Sequence, residues 1–211
     1  MIAVEAEYSA RLGPARYQGL RPTCMAFAVS DLNALVNSTD HLSVDFLCHH
    51  AANLAHDWQP ADGFSADDVL AAAREPGQPS EAGYPYDETS AVRPRTVPPA
   101  GLGPLFTAVP HARDLDVDEV IQRVRAGQAV GLVLAVTESF YYPAAGIVHF
   151  EHEVVPDLYH ALIGVGVGTH VASGELHMLL RNSWGAAWGT GGHAWISEQH
   201  LKLHFNEGFV F

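Results

Sequence analysis

The strongest chemical signal in this sequence is a cysteine placed where a helix should begin. The run Gln18-Gly19-Leu20-Arg21-Pro22-Thr23-Cys24-Met25-Ala26-Phe27-Ala28 leads from a loop containing Gly and Pro straight into an apolar stretch. Helix N-termini carry unpaired N–H groups and a partial positive charge. Both favour thiolate over thiol, which makes such a cysteine nucleophilic near neutral pH. A lone cysteine of this kind is more often a small buried core residue. Two other stretches shift the balance. Tyr159-His160-Ala161-Leu162-Ile163-Gly164-Val165-Gly166 puts a histidine at the start of a strand. Leu180-Arg181-Asn182-Ser183-Trp184-Gly185-Ala186-Ala187-Trp188-Gly189 packs two tryptophans around glycines in a tight loop. Each taken alone reads as structural.

These side chains need elements to hold them. Residues 24–36 form an apolar run that suits a buried helix. Ser43 opens a second helix over 44–56, with Phe46, Leu47 and Leu54 as core candidates. Ser65 caps a third helix before the apolar run 69–73. Residues 76–104 are rich in Pro and Gly and read as a long ordered loop or lobe connection. Asp116, with Glu119 three positions on, caps a short helix that Gly127 stops. Strands are expected over 129–136, 160–167, 176–182, 194–196 and 209–211, the second and third joined by a turn at Ser173-Gly174. Helices first and strands second predict an α+β architecture: a helical lobe over about 14–108, a sheet-rich lobe over about 109–211, and a cleft between them.

Composition narrows the function classes. The chain has 211 residues, 48% of them hydrophobic, enough for one large domain or two lobes with a sizeable core. It carries 11 Lys+Arg against 24 Asp+Glu, a net charge of -13. No nucleic acid partner and no anionic membrane surface is expected, because both need clustered cations. No run of 18 apolar residues occurs. The N-terminus lacks the basic start and apolar run of a secretory signal. A cytoplasmic protein beginning at its own methionine is the expectation. Two cysteines, Cys24 and Cys48, are too few for a disulfide scaffold and suit a reducing compartment. The 13 histidines invite a metal reading, but neither His149/His152 nor His200/His204 comes with the glutamate or cysteine pattern of a zinc site. No metal and no cofactor is expected.

Taken together the motifs resemble the papain family of cysteine peptidases. Gln18 with Cys24 six residues on is similar to that family's glutamine–cysteine segment. His160-Ala161 before Gly164-Val165-Gly166 is similar to its histidine strand, and Asn182-Ser183-Trp184-Gly185 with Trp188-Gly189 to its asparagine loop. Leu42-Ser43 and Gly83-Tyr84-Pro85-Tyr86 match two further elements, all in family order. His160 falls about 136 positions after Cys24, inside the roughly 130–150 of the papain type. Asn182, about 158 positions after Cys24, makes the intervening hairpin somewhat long.

The resemblance implies a papain-like two-lobe fold, with a helical lobe and an antiparallel, barrel-like sheet lobe flanking an active-site cleft. It also implies roles. Cys24 is the nucleophile, His160 its base, Asn182 the residue that orients the histidine, and Gln18 an oxyanion donor. Trp184 shields the histidine–asparagine bond. Gly63, Phe64, Val133 and Tyr159 line the substrate subsite, and Trp184 is counted with them as substrate-binding. The chain departs from the family in having Met25 for a tryptophan and Arg21 where a half-cystine is common. No propeptide is expected. The implied function is hydrolysis of a peptide or protein substrate through a thioester. Transpeptidation or ligation, deamidation, and non-catalytic peptide binding on the same scaffold are the alternatives. Asp62, Glu151, Glu153 and Asp157 are expected to give the substrate site a negative potential. The sequence leaves oligomeric state open.

Overall fold

Side-chain capping decides where most of the helices begin. Ser43 Oγ accepts the Phe46 N–H at 3.2 Å and opens α2 (Val44–Leu54). Ser65 does the same through Asp68 N–H for α3 (Ala66–Arg74). Asp116 and Glu119 form a reciprocal capping box at the head of α4 (Val117–Arg125). Each bond satisfies a donor that the helix itself leaves unpaired. Two helices start without such a bond: α1 (Cys24–Val36), whose N-cap residue is Thr23, and the short helix Glu138–Tyr141, whose N-cap residue is Thr137.

The computed structural model describes residues 1–89 and 97–211; residues 90–96 of the Pro- and Gly-rich connection lie outside them. The chain divides into two units, one of Tyr17–His111 with Phe211, the other of Met1–Arg16 with Ala112–Val210.

In the first unit α1, α2 and α3 pack on one another around Phe27, Leu32, Leu47, Ala51, Val69 and Leu70. The core also contains a polar tie. Buried Gln78 donates to Ser30 Oγ at 2.9 Å and to the Ser43 carbonyl at 3.0 Å, while its Oε1 accepts from Asn33 at 2.9 Å. Residues after α3 are thereby fastened to α1, and bridges Leu42–Ser80 and Gln78–Phe106 continue the tie. Two expectations fail here. Helix α2 ends at Leu54, two residues early. Leu54 itself is 52% exposed and no core residue, because the helix has run past its packed face.

The second unit is an eight-stranded sheet: β1 (Ile2–Glu7), β2 (Ala112–Arg113), β3 (Val130–Ala135), β4 (Ile147–Val148), β5 (Tyr159–His170), β6 (Leu176–Arg181), β7 (His193–Ser197) and β8 (Phe205–Val210). The order is β2-β8-β3-β5-β6-β7-β4, with β1 also on β5. All pairs are antiparallel except β4–β7. The twelve-residue β5 is long enough to carry β3 along its first half and β1 along its second. Helix α4 and two short helices, α5 (Glu138–Tyr141) and α6 (Glu198–His204), complete the unit. Val120, Ile121, Leu132, Leu134, Leu162, Met178, Leu180 and Ile196 fill its core. Each such side chain contributes about 1.5–3 kcal/mol when fully buried.

Strands β1, β2 and β4 and helices α5 and α6 were not expected from sequence. All are short or gain their pairing from residues far along the chain. No helix among the described residues is long and apolar enough to cross a membrane.

Candidate active site

Cys24 is the first residue of α1, and the loop before it is tightly braced. Gln18 is buried, and its Nε2 donates to the Arg21 carbonyl at 2.8 Å; the Thr23 N–H donates to the same oxygen at 2.8 Å. Tyr86 Oη donates to the Gln18 carbonyl at 2.7 Å and lies 2.8 Å from Thr23 Oγ1. The one proton on Tyr86 Oη goes to Gln18, so Thr23 donates its own. A natural capping hydroxyl is thus drawn away from the helix. The first turn of α1 keeps its electropositive end without a Thr23 cap, which is the setting that favours a thiolate at Cys24.

Arg21 extends the brace. It is 7% exposed, with Nη1 2.7 Å from Asp45 Oδ1, Nη2 donating to the Asp87 carbonyl at 3.2 Å, and the guanidinium 3.9 Å above the Tyr86 ring. Gly19 closes the loop at φ 65°; a Cβ there would lie 2.3 Å from the Glu88 carbonyl oxygen, so only glycine fits. The other cysteine, Cys48, is buried on α2. Burial, then the charge of Asp45, pushes its thiol well above the ordinary range. Neither cysteine is in a disulfide.

His160 and Asn182 sit in the sheet unit, 5% and 3% exposed. His160 is the second residue of β5, in register with Leu134 of β3. Asn182 follows β6, and its N–H donates to the Gly192 carbonyl at 3.0 Å. Gly192 holds φ 82° with no room for a side chain, since a Cβ would fall 2.2 Å from that of Ala15. The loop therefore returns at a fixed place beneath Asn182. His160 Nε2 lies 2.6 Å from Asn182 Oδ1, and the Ser183 N–H donates to that same Oδ1 at 2.7 Å. The backbone donor fixes the atom as oxygen, so His160 Nε2 must carry the hydrogen. Nδ1 is left as the nitrogen able to take or give a proton.

An aromatic wall encloses this bond. Trp184 lies 4.6 Å from the His160 ring, centroid to centroid, and stacks on Tyr141 at 5.5 Å. Phe140 sits edge-on to both His160 and Trp184. Trp188 Nε1 donates to the Phe140 carbonyl at 2.8 Å, which pins α5 to the loop. Such a wall excludes water and strengthens the polar contact inside it. Asn182 Nδ2, buried within, has no acceptor among the described residues.

The second tier divides between the units. Gly63 and Phe64 fold with Cys24. Gly63, at φ 74°, lies against Pro22, its carbonyl accepts from Trp58 Nε1 at 2.6 Å, and Phe64 stacks on Trp58. Val133 and Tyr159 fold with His160. Val133 pairs with Ala161 and Tyr159 with Ala135, so strand alternation puts these four on the sheet face opposite His160. Val133 is buried and Tyr159 is 57% exposed. Two of the four acids expected to bear on substrate are committed locally. Asp62 accepts the Gln59 N–H, and Glu151 accepts the Ser139 N–H at the head of α5. Phe140, Tyr141, Tyr86 and Asp45 were missed as site residues. Tyr86 stood in the Gly83-Tyr84-Pro85-Tyr86 match without a role, and the other three left no trace but type, because nothing local marks what they touch.

The profile of the papain family cysteine proteases matches residues 10–207. Cysteine protease 1 of Oryza sativa subsp. japonica is 30% identical over 194 residues, 86% of this chain and 37% of that protein. Cathepsin L1 of Drosophila melanogaster is 31% identical over 119 residues, 55% of this chain and 31% of that protein. The chain spans about a third of the length of these curated relatives. Among solved structures, xylellain, a cysteine protease from Xylella fastidiosa, superposes with a TM-score of 0.78 at 17% identity over 94% of this chain and 82% of that one. The Carica candamarcensis cysteine protease CMS1MS2, in complex with E-64, gives 0.74 at 22% identity over 96% and 93%. At such identities the structures speak for the fold, which is papain-like α+β with two lobes. The family profile covers nearly all of the sequence, and it takes in the cysteine loop, the histidine strand and the asparagine loop: the chain belongs to the papain family of cysteine proteases.

Proposed function

We propose that this chain is a cysteine peptidase that cleaves peptide bonds through a thioester on Cys24. The observation that carries the reading is the buried His160–Asn182 bond, whose direction is fixed by Ser183 and which leaves Nδ1 for proton transfer. Cys24 at an α1 terminus that Thr23 does not cap supports it from the other unit.

In this mechanism Cys24 gives its proton to His160 Nδ1, and the thiolate attacks the substrate carbonyl carbon. Negative charge moves to the carbonyl oxygen, which accepts hydrogen bonds from the Cys24 N–H and from Gln18 Nε2. The bond from Gln18 Nε2 to the Arg21 carbonyl orients the amide for that role. The tetrahedral adduct collapses, the C–N bond breaks, and the leaving amine takes the proton from His160. Water then attacks the thioester as His160 removes its proton. The acid leaves and the thiolate returns. Asn182 keeps the imidazole in one tautomer throughout, and Trp184 keeps water from the orienting bond.

A peptide or protein is the proposed substrate. Water is the proposed acceptor, and product masses with and without an added amine separate hydrolysis from transpeptidation. A reducing, cytoplasmic setting is proposed on the strength of two cysteines that are both thiols. The deciding experiment couples labelling to turnover. Iodoacetamide at neutral pH should alkylate Cys24 well before Cys48, and Cys24→Ala should lower peptide cleavage by on the order of 10⁴-fold or more while keeping the fold. First labelling at Cys48, or cleavage by Cys24→Ala within about 10-fold of the wild type, sinks the reading.

A further inference from the structure

Segment 84–88 touches the cysteine loop at Gln18, Gly19, Arg21 and Thr23, yet it carries no reacting group. Tyr86 Oη holds the Gln18 carbonyl at 2.7 Å and takes the Thr23 hydroxyl at 2.8 Å. The Asp87 carbonyl accepts from Arg21 Nη2, and the Asp87 N–H donates to Asp45 Oδ2 at 3.2 Å. The Glu88 carbonyl lies against Gly19. The segment is itself fastened to α2. Ser43 Oγ donates to the Tyr84 carbonyl at 2.5 Å, and one Glu81 carboxylate accepts both the Tyr86 N–H at 2.6 Å and the Val44 N–H at 3.3 Å. The buried Arg21–Asp45 pair ties the cysteine loop directly to α2 as well.

The consequence for Gln18 is geometric. Its carboxamide is bonded to Arg21 O, and its own carbonyl is bonded to Tyr86 Oη, so both ends of the residue are held. An oxyanion donor acts only if it is in place before charge develops. Without the phenol, the Gln18 peptide can rotate and carry the side-chain amide with it. Tyr86 stays a donor through any ordinary pH range, because burial raises its hydroxyl to about 12.

Building on the oxyanion role proposed for Gln18, we propose that Tyr86 is a positioning residue for catalysis, holding the Gln18 carbonyl and the Thr23 hydroxyl so that the Gln18 amide is preset and the head of α1 stays uncapped. Its ring is fixed for that task by the Arg21 guanidinium on its face and by Phe27, whose centroid is 4.8 Å away in an edge contact.

Tyr86→Phe tests this, since it keeps the ring and both ring contacts and deletes only the oxygen. Three quantities are read on the whole chain: kcat and KM for a peptidyl amide, the rate of Cys24 alkylation by iodoacetamide, and hydrogen exchange of the Gln18 side-chain amide by NMR. Alkylation forms no oxyanion, so it reports thiolate alone. The expected result is a kcat lowered about 10-fold, as for loss of one well-placed hydrogen bond, with KM and the melting temperature little changed. Alkylation should fall by less than kcat, and the Gln18 amide protons should exchange faster. Unchanged kcat in an active enzyme overturns the proposal, and so does an equal fall in kcat and alkylation. If the wild type cleaves no peptide, it is the peptidase reading that has failed. The Gln18 exchange rates then still decide the anchoring, and equal rates in wild type and Tyr86→Phe refute it.

Discussion

The helical unit and the sheet unit hold their functional side chains by opposite means. Gln18 and Cys24 depend on a polar bracket: a buried ion pair, a phenol, and backbone carbonyls and N–H groups of residues 84–88. His160 and Asn182 depend on an apolar wall of Phe140, Tyr141, Trp184 and Trp188, with short polar contacts only at Asn182 Oδ1, from His160 and the Ser183 N–H. The difference has a physical reason. A nucleophilic loop ending at a helix terminus has many backbone groups to satisfy, and only polar partners can do so. A histidine that must keep one tautomer needs a single partner and protection from water, which rings supply.

That contrast breaks most sharply in the rates. Cys24→Ala and His160→Ala should each lower kcat by on the order of 10⁴-fold or more, and the double variant no further, because the two act as one unit. Additive losses in steady-state cleavage assays would falsify the pairing.

Stability tells the two supports apart next. Arg21→Ala leaves Asp45 buried without its partner and should cost about 3–5 kcal/mol, whereas Arg21→Met with Asp45→Leu should recover most of it. Phe140→Ala should cost a similar amount, about 3–5 kcal/mol, but through a cavity that no second polar change repairs. Urea melts of the four proteins measure this. Equal rescue in both units would erase the distinction between polar bracket and apolar wall.

Among the helpers, Gln18→Ala should cost roughly 100–1000-fold in kcat. Asn182→Ala should be milder than His160→Ala, since the wall still holds the ring. Paired kcat and KM measurements decide, and unchanged kcat in Gln18→Ala means the oxyanion is held elsewhere.

Acid should weaken the sheet unit through His200. This residue is buried on α6 beside His204 and Phe150, with Glu151 and His149 nearby. Burial, then the neighbouring His204, lowers its ordinary value of 6.5 to about 4. Above pH 6.5 the folded and unfolded chains both hold it neutral. As pH falls from 6.5 to 4 only the unfolded chain takes the proton, so stability falls with pH by about 3 kcal/mol and then levels off. Melting temperatures from pH 7.5 to 4 should show that slope, and His200→Leu should flatten it.

The smallest effect concerns substrate charge. With Asp62 and Glu151 held by backbone N–H groups, Glu153 and Asp157 remain to favour cationic peptides. Peptides with Lys or Arg near the cut should turn over a fewfold faster than Asp or Glu peptides, an advantage that added salt erodes. A ratio indifferent to ionic strength leaves these acids a solubility role.

The sequence by itself determined what local signals can encode. Ser43, Ser65 and Asp116 announce their helices because a cap acts three residues away. The apolar runs over 129–136 and 160–167 read as buried strands, being short and bounded by turn residues. The residues proposed for catalysis were picked out for the same reason: Cys24 at a helix start, and His160 and Asn182 in motifs with strong local character. Tertiary structure decided everything that depends on a distant partner. Ile2–Glu7 is a strand because it meets Gly166–His170 from the far end of the chain. Leu54, apolar on an amphipathic helix, is exposed because α2 outlasts the surface it packs on. Phe140 and Tyr141 form a four-residue helix too short for any periodicity, and they matter only through His160 and Trp184. Arg21 reads in sequence as a missing half-cystine, while in the fold it is the buried partner of Asp45 and lies on the ring of Tyr86. A side chain's type travels with the sequence, but its partner is chosen by the chain's return, and burial then turns that choice into energy.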